Sequence, residues 1–250
     1  MDHDVQLFTV THLRRRPAPV EIGGFVLGFD PDTTSPFVNY ATPLPGAAPG
    51  AADVAALIAA FRERDLVPRL EFAPDAAPEA AAALIAAGFT TEAEHTYLVC
   101  TPDTLAVPEA GPHVTAPESD TDYLHLDGAL AEAFGGEFSS SDEGAARLRR
   151  TADTGGAVRL VRAADGTVAG GALCSAPAAG TAELAGVGTR PAHRGQGIAA
   201  AVTAELARTM LRERGVGSVW LEYGGQDSRR VYERVGFQPC GTRLYARLEA

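Results

Sequence analysis

The chain has 250 residues, 46% of them hydrophobic and 21% charged, which is ordinary for a globular protein and long enough for one large core or two small ones. Its formal net charge of −11 argues against a nucleic-acid partner, and all 21 basic side chains are arginines. That charge suits a cationic amine substrate, and it suits equally well a merely solvated acidic surface.

Cys100, Cys174 and Cys240 lie far apart in no metal-like pairing and read as reduced thiols, as in the cytoplasm. Met1-Asp2-His3-Asp4 places acids where a secretory leader has its basic region. The longest uncharged apolar tract, Gly166 to Ala182, is broken by Gly170, Gly171, Pro177 and Gly180 and cannot make a membrane helix. The expectation is a cytoplasmic protein with no membrane partner and no metal.

In chain order, Val5 to Val10, Val20 to Leu27 and Phe37 to Ala41 read as strands separated by Pro, Gly and Asp turns. A loop stiffened by Pro43, Pro45 and Pro49 follows. Asp53 is placed to cap a helix running to about Arg64, with Val54, Leu57, Ile58 and Phe61 as its apolar stripe. Leu66 to Phe72 is the next strand. Pro78 starts an alanine-rich helix ending at Gly88-Phe89, and Thr96 to Cys100 is another strand. Thr101 to Pro117 has linker composition, with a short strand at His113 to Thr115, and places a domain boundary near Ala110.

Ser119 or Asp120 then caps a helix bearing Tyr123, Leu124, Leu130 and Phe134. Gly135 to Ser139 is a turn, Ser141 or Asp142 caps a second helix, and Ala157 to Arg162 pairs with Thr167 to Ser175 around Asp165-Gly166. From Ala182 to Met210 the pattern is strand, turn, glycine loop, helix. Ile198, Val202, Leu206 and Met210 recur every four positions, so one helical face is buried. Gly195 and Gly197 stand where that helix begins. A helix start leaves about four N–H groups unpaired at the positive end of its dipole, so an anion can reach the backbone there. The ligand expected is a phosphate or diphosphate.

A nucleoside-triphosphate loop needs a lysine, and the chain has none. Gly195, Gly197 and Ala200 fit a dinucleotide fingerprint, with Glu222 at about the expected distance. Against a nicotinamide-dependent oxidoreductase, Arg190 to Arg194 separates strand from first glycine, and only one further strand-helix unit follows. The third reading is coenzyme A.

Arg194-x-x-Gly197-x-Ala199 resembles the acyl-CoA loop of the GNAT superfamily of N-acetyltransferases, whose pattern is Arg/Gln-x-x-Gly-x-Gly/Ala. The context is similar too: a strand at Val219 to Tyr223, a short helix ending Val231-Tyr232-Glu233-Arg234-Val235-Gly236-Phe237, and a last strand near Thr242 to Leu248. The resemblance covers roughly residues 113 to 250. Many relatives carry an asparagine where this chain has Gly225, so Gln226 or Asp227 would have to replace its bond to the pantetheine arm.

The first half repeats part of the second. Arg62-Glu63-Arg64, Leu70-Glu71-Phe72 and Gly88-Phe89 match Arg212-Glu213-Arg214, Leu221-Glu222-Tyr223 and Gly236-Phe237, at a nearly constant offset of about 150 residues. Opposite the Arg194 to Ala199 loop stands only a Pro-Gly-Ala loop, and opposite Tyr232 stands Leu84. Together with the resemblance this implies an α/β (α+β) fold of two tandem GNAT-like domains, each a mixed, mostly antiparallel sheet flanked by helices. Residues 1–110 would be a degenerate domain without the acyl-CoA loop, and 111–250 the catalytic domain.

The resemblance further implies acetyl-CoA as cofactor and a small-molecule or peptide amine as acceptor. It places Val187, Gly188, Thr189, Arg194, Gly195, Gln196, Gly197, Ile198 and Ala199 at the cofactor, and the helices from Tyr123 to Ser141 at the acceptor. Gly186 and Gly188 allow the bulge and close approach that relatives show on this strand. Tyr232 becomes the acid for the leaving thiolate, by hydrogen bonding, since a phenol near pKa 10 does not protonate a thiolate near 8.5 downhill. Glu183 becomes the base, Glu222 the second choice, and His193, Arg190, Arg229 and Arg230 solvated surface groups. A non-catalytic acyl-CoA-binding module is the alternative from another class.

Overall fold

A computed structural model describes residues 1–136 and 139–249, and Glu137 and Phe138 of the expected turn lie outside the described residues. Contacts divide the chain into two compact units, residues 1–97 with 240–250, and residues 98–239. This division falls otherwise than a cut near Ala110: the last strand joins the first unit, and residues 98–110 join the second.

In the first unit, helix α1 (Asp2–Arg14) precedes the hairpin β1 (Ala18–Ile22) and β2 (Phe25–Phe29), then β3 (Tyr40–Pro43) and α2 (Ala51–Arg62). β4 (Arg69–Phe72), α3 (Pro78–Ala86) and β5 (Thr90–Cys100) follow. The expected strand Val5 to Val10 is thus a helix. Val5, Phe8, Thr9 and Leu13 are buried at helical spacing, and Asp2 and Asp4 in the first turn oppose His12 and Arg14 in the last, complementing the dipole. Likewise the single strand expected over Val20 to Leu27 is folded back at Gly23-Gly24 into β1 and β2.

The first unit's sheet runs β1-β2-β3-β4-β11, where β11 (Gln238–Arg247) is the chain's last strand. Only β3 and β4 are parallel there. Alternation along β2 sends Phe25, Leu27 and Phe29 to a core with Leu57, Phe61 and Phe72, and Val26 to a smaller one with Val10, Leu13 and Tyr40. Helices therefore cover both faces.

The second unit holds the end of β5, β6 (Val114–Thr115), α4 (Asp120–Ala133), α5 (Asp142–Asp153), β7 (Ala157–Arg162), β8 (Val168–Cys174) and β9 (Thr181–Thr189). The helix α6 (Ile198–Arg208), a π-helical turn Thr209–Glu213, β10 (Ser218–Glu222) and α7 (Gln226–Arg234) complete it. Its sheet runs β10-β9-β8-β7-β6, antiparallel except for β9 and β10. Ser119 and Ser141, rather than the aspartates beside them, cap α4 and α5. Ile198, Val202, Leu206 and Met210 are all buried, in a core with Leu98, Leu221 and Phe237. No described helix is long and apolar enough to cross a membrane.

The repeat extends to the backbone. Strand, strand, strand, helix, strand, helix, strand occurs from β1 to β5 and again from β7 to β11. The N–H of Phe89 donates to Leu84 O (3.0 Å) and that of Phe237 to Tyr232 O (3.1 Å), across Gly88 (φ 91°) and Gly236 (φ 96°). Leu84 and Tyr232 are therefore the same position in two copies of one helix end.

Candidate functional site

The site is built where β9 and β10 part. Their parallel register runs Ser218↔Thr181, Val219↔Ala182 and Trp220↔Glu183, and goes no further, although β9 continues to Thr189. β9 is bulged against β8: Gly171 faces Gly188 and Leu173 faces Ala185, so β9 carries one residue more, around Gly186 with φ 62°. From Leu184 onward β9 thus has no register with β10. Glu183 stands at the apex of the fork.

Beyond β9 the chain passes through the 3-10 turn Pro191–His193 into the loop. Gly197 caps α6 with φ 78°, a conformation that side chains with a Cβ rarely adopt, and no side chain caps the helix. Among the described residues no N–H from Gly195 to Ala200 meets an acceptor. A Cβ on Gly195 would meet nothing, so the loop face is open. The Thr189 hydroxyl is buried and lacks a hydrogen-bond partner among the described residues. An array of free N–H groups at a helix start, beside an unspent hydroxyl, fits the diphosphate end of coenzyme A.

The matching loop of the first unit does not fit it. The Asp53 carboxylate accepts the N–H of Gly50 (2.8 Å) at the start of α2, and Gly46 donates to Ala76 O (2.8 Å). A carboxylate already occupies the helix end where an anion would bind.

Tyr232 is 7% exposed on α7, in the core that contains Leu184 and Val202, with its ring 6.3 Å from that of Phe237. Burial pushes its pKa up to about 12. Its hydroxyl has no hydrogen-bond partner among the described residues. Glu183 is half-buried on β9, and its charge, after burial itself, raises the thiol of buried Cys174. Glu222 ends β10. Gln226 and Asp227 are both exposed at the start of α7, with Gly225 as its N-cap.

Arg190 departs from the expected solvated arginine. Its side chain is 25% exposed, Nε donates to Val168 O (2.8 Å), and the guanidinium pairs with Glu132. Arg194 donates from Nη2 to Ala133 O (3.1 Å). Arg229 and Arg230 pair on their own helix, with Glu233 (2.7 Å) and Asp227 (3.5 Å). The last turn of α4, carrying Glu132 and Ala133, is thus part of the loop's surroundings. No motif marks it; the only signal was that α4 precedes a strand pair whose glycines admit it closely.

Residues 127–237 match the family model described as Acetyltransferase (GNAT) family. The chain is similar in structure to a GCN5-related N-acetyltransferase from Kribbella flavida, at 26% identity and a TM-score of 0.82, covering 100% of this chain and 96% of that one. A GCN5-related N-acetyltransferase from Sphaerobacter thermophilus shares the fold at 21% identity and a TM-score of 0.59, over 90% of this chain and 80% of the other. So does a tandem GNAT protein from the clavulanic acid biosynthesis pathway, at 16% identity and a TM-score of 0.61, over 94% and 84%. A search of curated proteins finds no match. The stretch that matches the family model contains the fork, the uncapped glycine loop and Tyr232, and through it the chain is similar to the acetyltransferase (GNAT) family.

Proposed function

We propose that the second unit moves an acetyl group from acetyl-CoA to a primary amine by direct attack in a ternary complex, and that the first unit is a degenerate GNAT copy that holds no acyl-CoA. The observation that carries this reading is the parting of β9 from β10 after Glu183, leading straight into the uncapped start of α6. Loop N–H groups from Gly195 to Ala199 would hold the diphosphate, with Thr189 and Arg194 beside it. The stretch of β9 at Val187 and Gly188 would hold the pantetheine arm, and its N–H groups would orient the acyl carbonyl and stabilise charge on its oxygen.

When bound, acetyl-CoA supplies the acyl group as an activated thioester. Glu183, at the apex, takes the amine proton directly or through water, with Glu222 the other carboxylate on these strands. Tyr232 holds its proton at every pH an assay would use and offers a hydrogen bond to departing sulfur, without transferring the proton outright.

Calorimetric titration tests the reading: acetyl-CoA should bind at one per chain, NADH should not bind, and Gly197→Glu should abolish acetyl-CoA binding. Thiol release across a panel of polyamines, amino acids, peptides and aminoglycosides then names the acceptor class. Absence of acetyl-CoA binding overturns the assignment. Binding without thiol release from any amine favours the non-catalytic acyl-CoA-binding module instead.

A further inference from the structure

We propose that Arg194 is a positioning residue that couples occupancy of the diphosphate loop to the last turn of α4, with Arg190 as the fixed side of the same clamp. The proposal rests on the coenzyme reading above. Gly171 and Gly188, opposite each other on β8 and β9, let α4 settle onto the sheet: a Cβ on Gly171 would lie 2.5 Å from Leu126 Cδ1, and one on Gly188 would lie 2.7 Å from Leu130 Cδ2 and 3.0 Å from Ala133 Cβ. The C-terminal turn of α4 is thereby brought to the end of β9. Arg190 is held there by its backbone N–H to Ala169 O (2.9 Å), by Nε to Val168 O (2.8 Å) and by its pair with Glu132. On the far side of the turn Pro191–His193, Arg194 donates to Ala133 O (3.1 Å). Two arginines flanking one short turn grip adjacent residues of the same helix end.

The charges give this grip a direction. The C-terminus of a helix carries roughly half a negative charge, and a diphosphate on the neighbouring loop would be repelled by it. Arg194 puts a cation on that end. Its guanidinium has five donors in a planar fork, and the bond to Ala133 O uses one N–H, which leaves others for a phosphate oxygen. A guanidinium already held by one of two negative groups loses less freedom on meeting the other, so each contact favours the other. The anion therefore firms the last turn of α4, and by reciprocity a firm α4 strengthens anion binding.

The test uses full-length protein and coenzyme A as the probe, with binding followed by calorimetry and backbone order by hydrogen exchange. In the wild type, coenzyme A should slow exchange at the amides of Phe134, Gly135 and Gly136, which donate to Leu130, Glu132 and Ala131 of α4. Arg194→Met, an exposed position, should weaken coenzyme A about tenfold, a loss of about 1.4 kcal/mol, and at saturation should give no slowing at these amides. Arg194→Lys should restore part of both effects, and Arg190→Met should raise exchange at the same amides before any ligand is added. The coupling is overturned if saturated wild type shows no slowing there, or if Arg194→Met shows the full wild-type slowing. If coenzyme A does not bind the wild type at all, it is the coenzyme reading that fails.

Discussion

At neutral pH the phenol of Tyr232 is fully protonated, because burial pushes its pKa up to about 12. On the proposed reading its contribution to thiol departure is a hydrogen bond, and Tyr232→Phe should lower kcat by about ten- to a hundredfold, at or below the low end of acid-base effects. Profiles of kcat against pH for wild type and Tyr232→Phe should run parallel between pH 7 and 10, since the group titrates above that range. A basic limb present in wild type and missing in the variant would remove the argument. A second titratable ring makes the opposite prediction on the acid side. His12, half-buried and stacked on Phe8 with centroids 5.9 Å apart, is held down to about 3 by burial and by the nearby Arg16, Arg15 and Arg243. A folded-state pKa below the unfolded value of about 6.5 gives stability that is present above that pH and lost as pH falls toward 3. The unfolding free energy from urea titrations should fall below pH 6.5, by up to about 1.4 kcal/mol per pH unit from this group in wild type and less steeply in His12→Gln.

Among the elements, the repeated helix ends supply a controlled comparison. A Cβ on Gly236 would lie 1.8 Å from Thr104 O, whereas on Gly88 its nearest neighbour is Leu248 Cδ1 at 3.6 Å, and both glycines have positive φ. Gly88→Ala should cost only the left-handed strain, about 1–2 kcal/mol. Gly236→Ala adds a backbone clash and should cost about 3 kcal/mol or more, as read from denaturant midpoints. This pair of turns was legible in the sequence because Gly-Phe recurs after each short helix, apolar α3 and polar α7 alike. So was α6, whose four-residue spacing and glycine start leave no other reading. Helix α1 was not, because Val5, Leu7 and Thr9 alternate like a strand; Asp2 and Asp4 against His12 and Arg14 carried the contrary signal. The Arg190–Glu132 pair was out of reach, since it depends on where α4 lands, which Gly171 and Gly188, far along the chain from the Leu126 and Leu130 they meet, decide.

For the whole molecule, the exchange of end strands is the feature least visible in the sequence. Local pattern shows β11 to be a strand, but its antiparallel register with β4, Leu244↔Phe72 and Ala246↔Leu70, is a choice of partner made by tertiary contact. Leu98 and Cys100, encoded before the linker, are fully buried in the second unit's core. A fragment of residues 111–250, cut at the boundary the composition suggests, should therefore lack cooperative unfolding. A chain ending at Pro239 should still bind acetyl-CoA while its first unit melts early, with Leu244 and Ala246 gone from that core. Recovery of a two-state transition in the 111–250 fragment would show that the exchanged strands are dispensable. The same exchange bears on biosynthesis. As the chain leaves the ribosome, β4 is made long before β11 and stays without that neighbour while the entire second unit is translated. An unpaired strand edge is a template for other chains, so a premature stop between Phe72 and Gln238 releases a product with an open β4 edge and a propensity to aggregate.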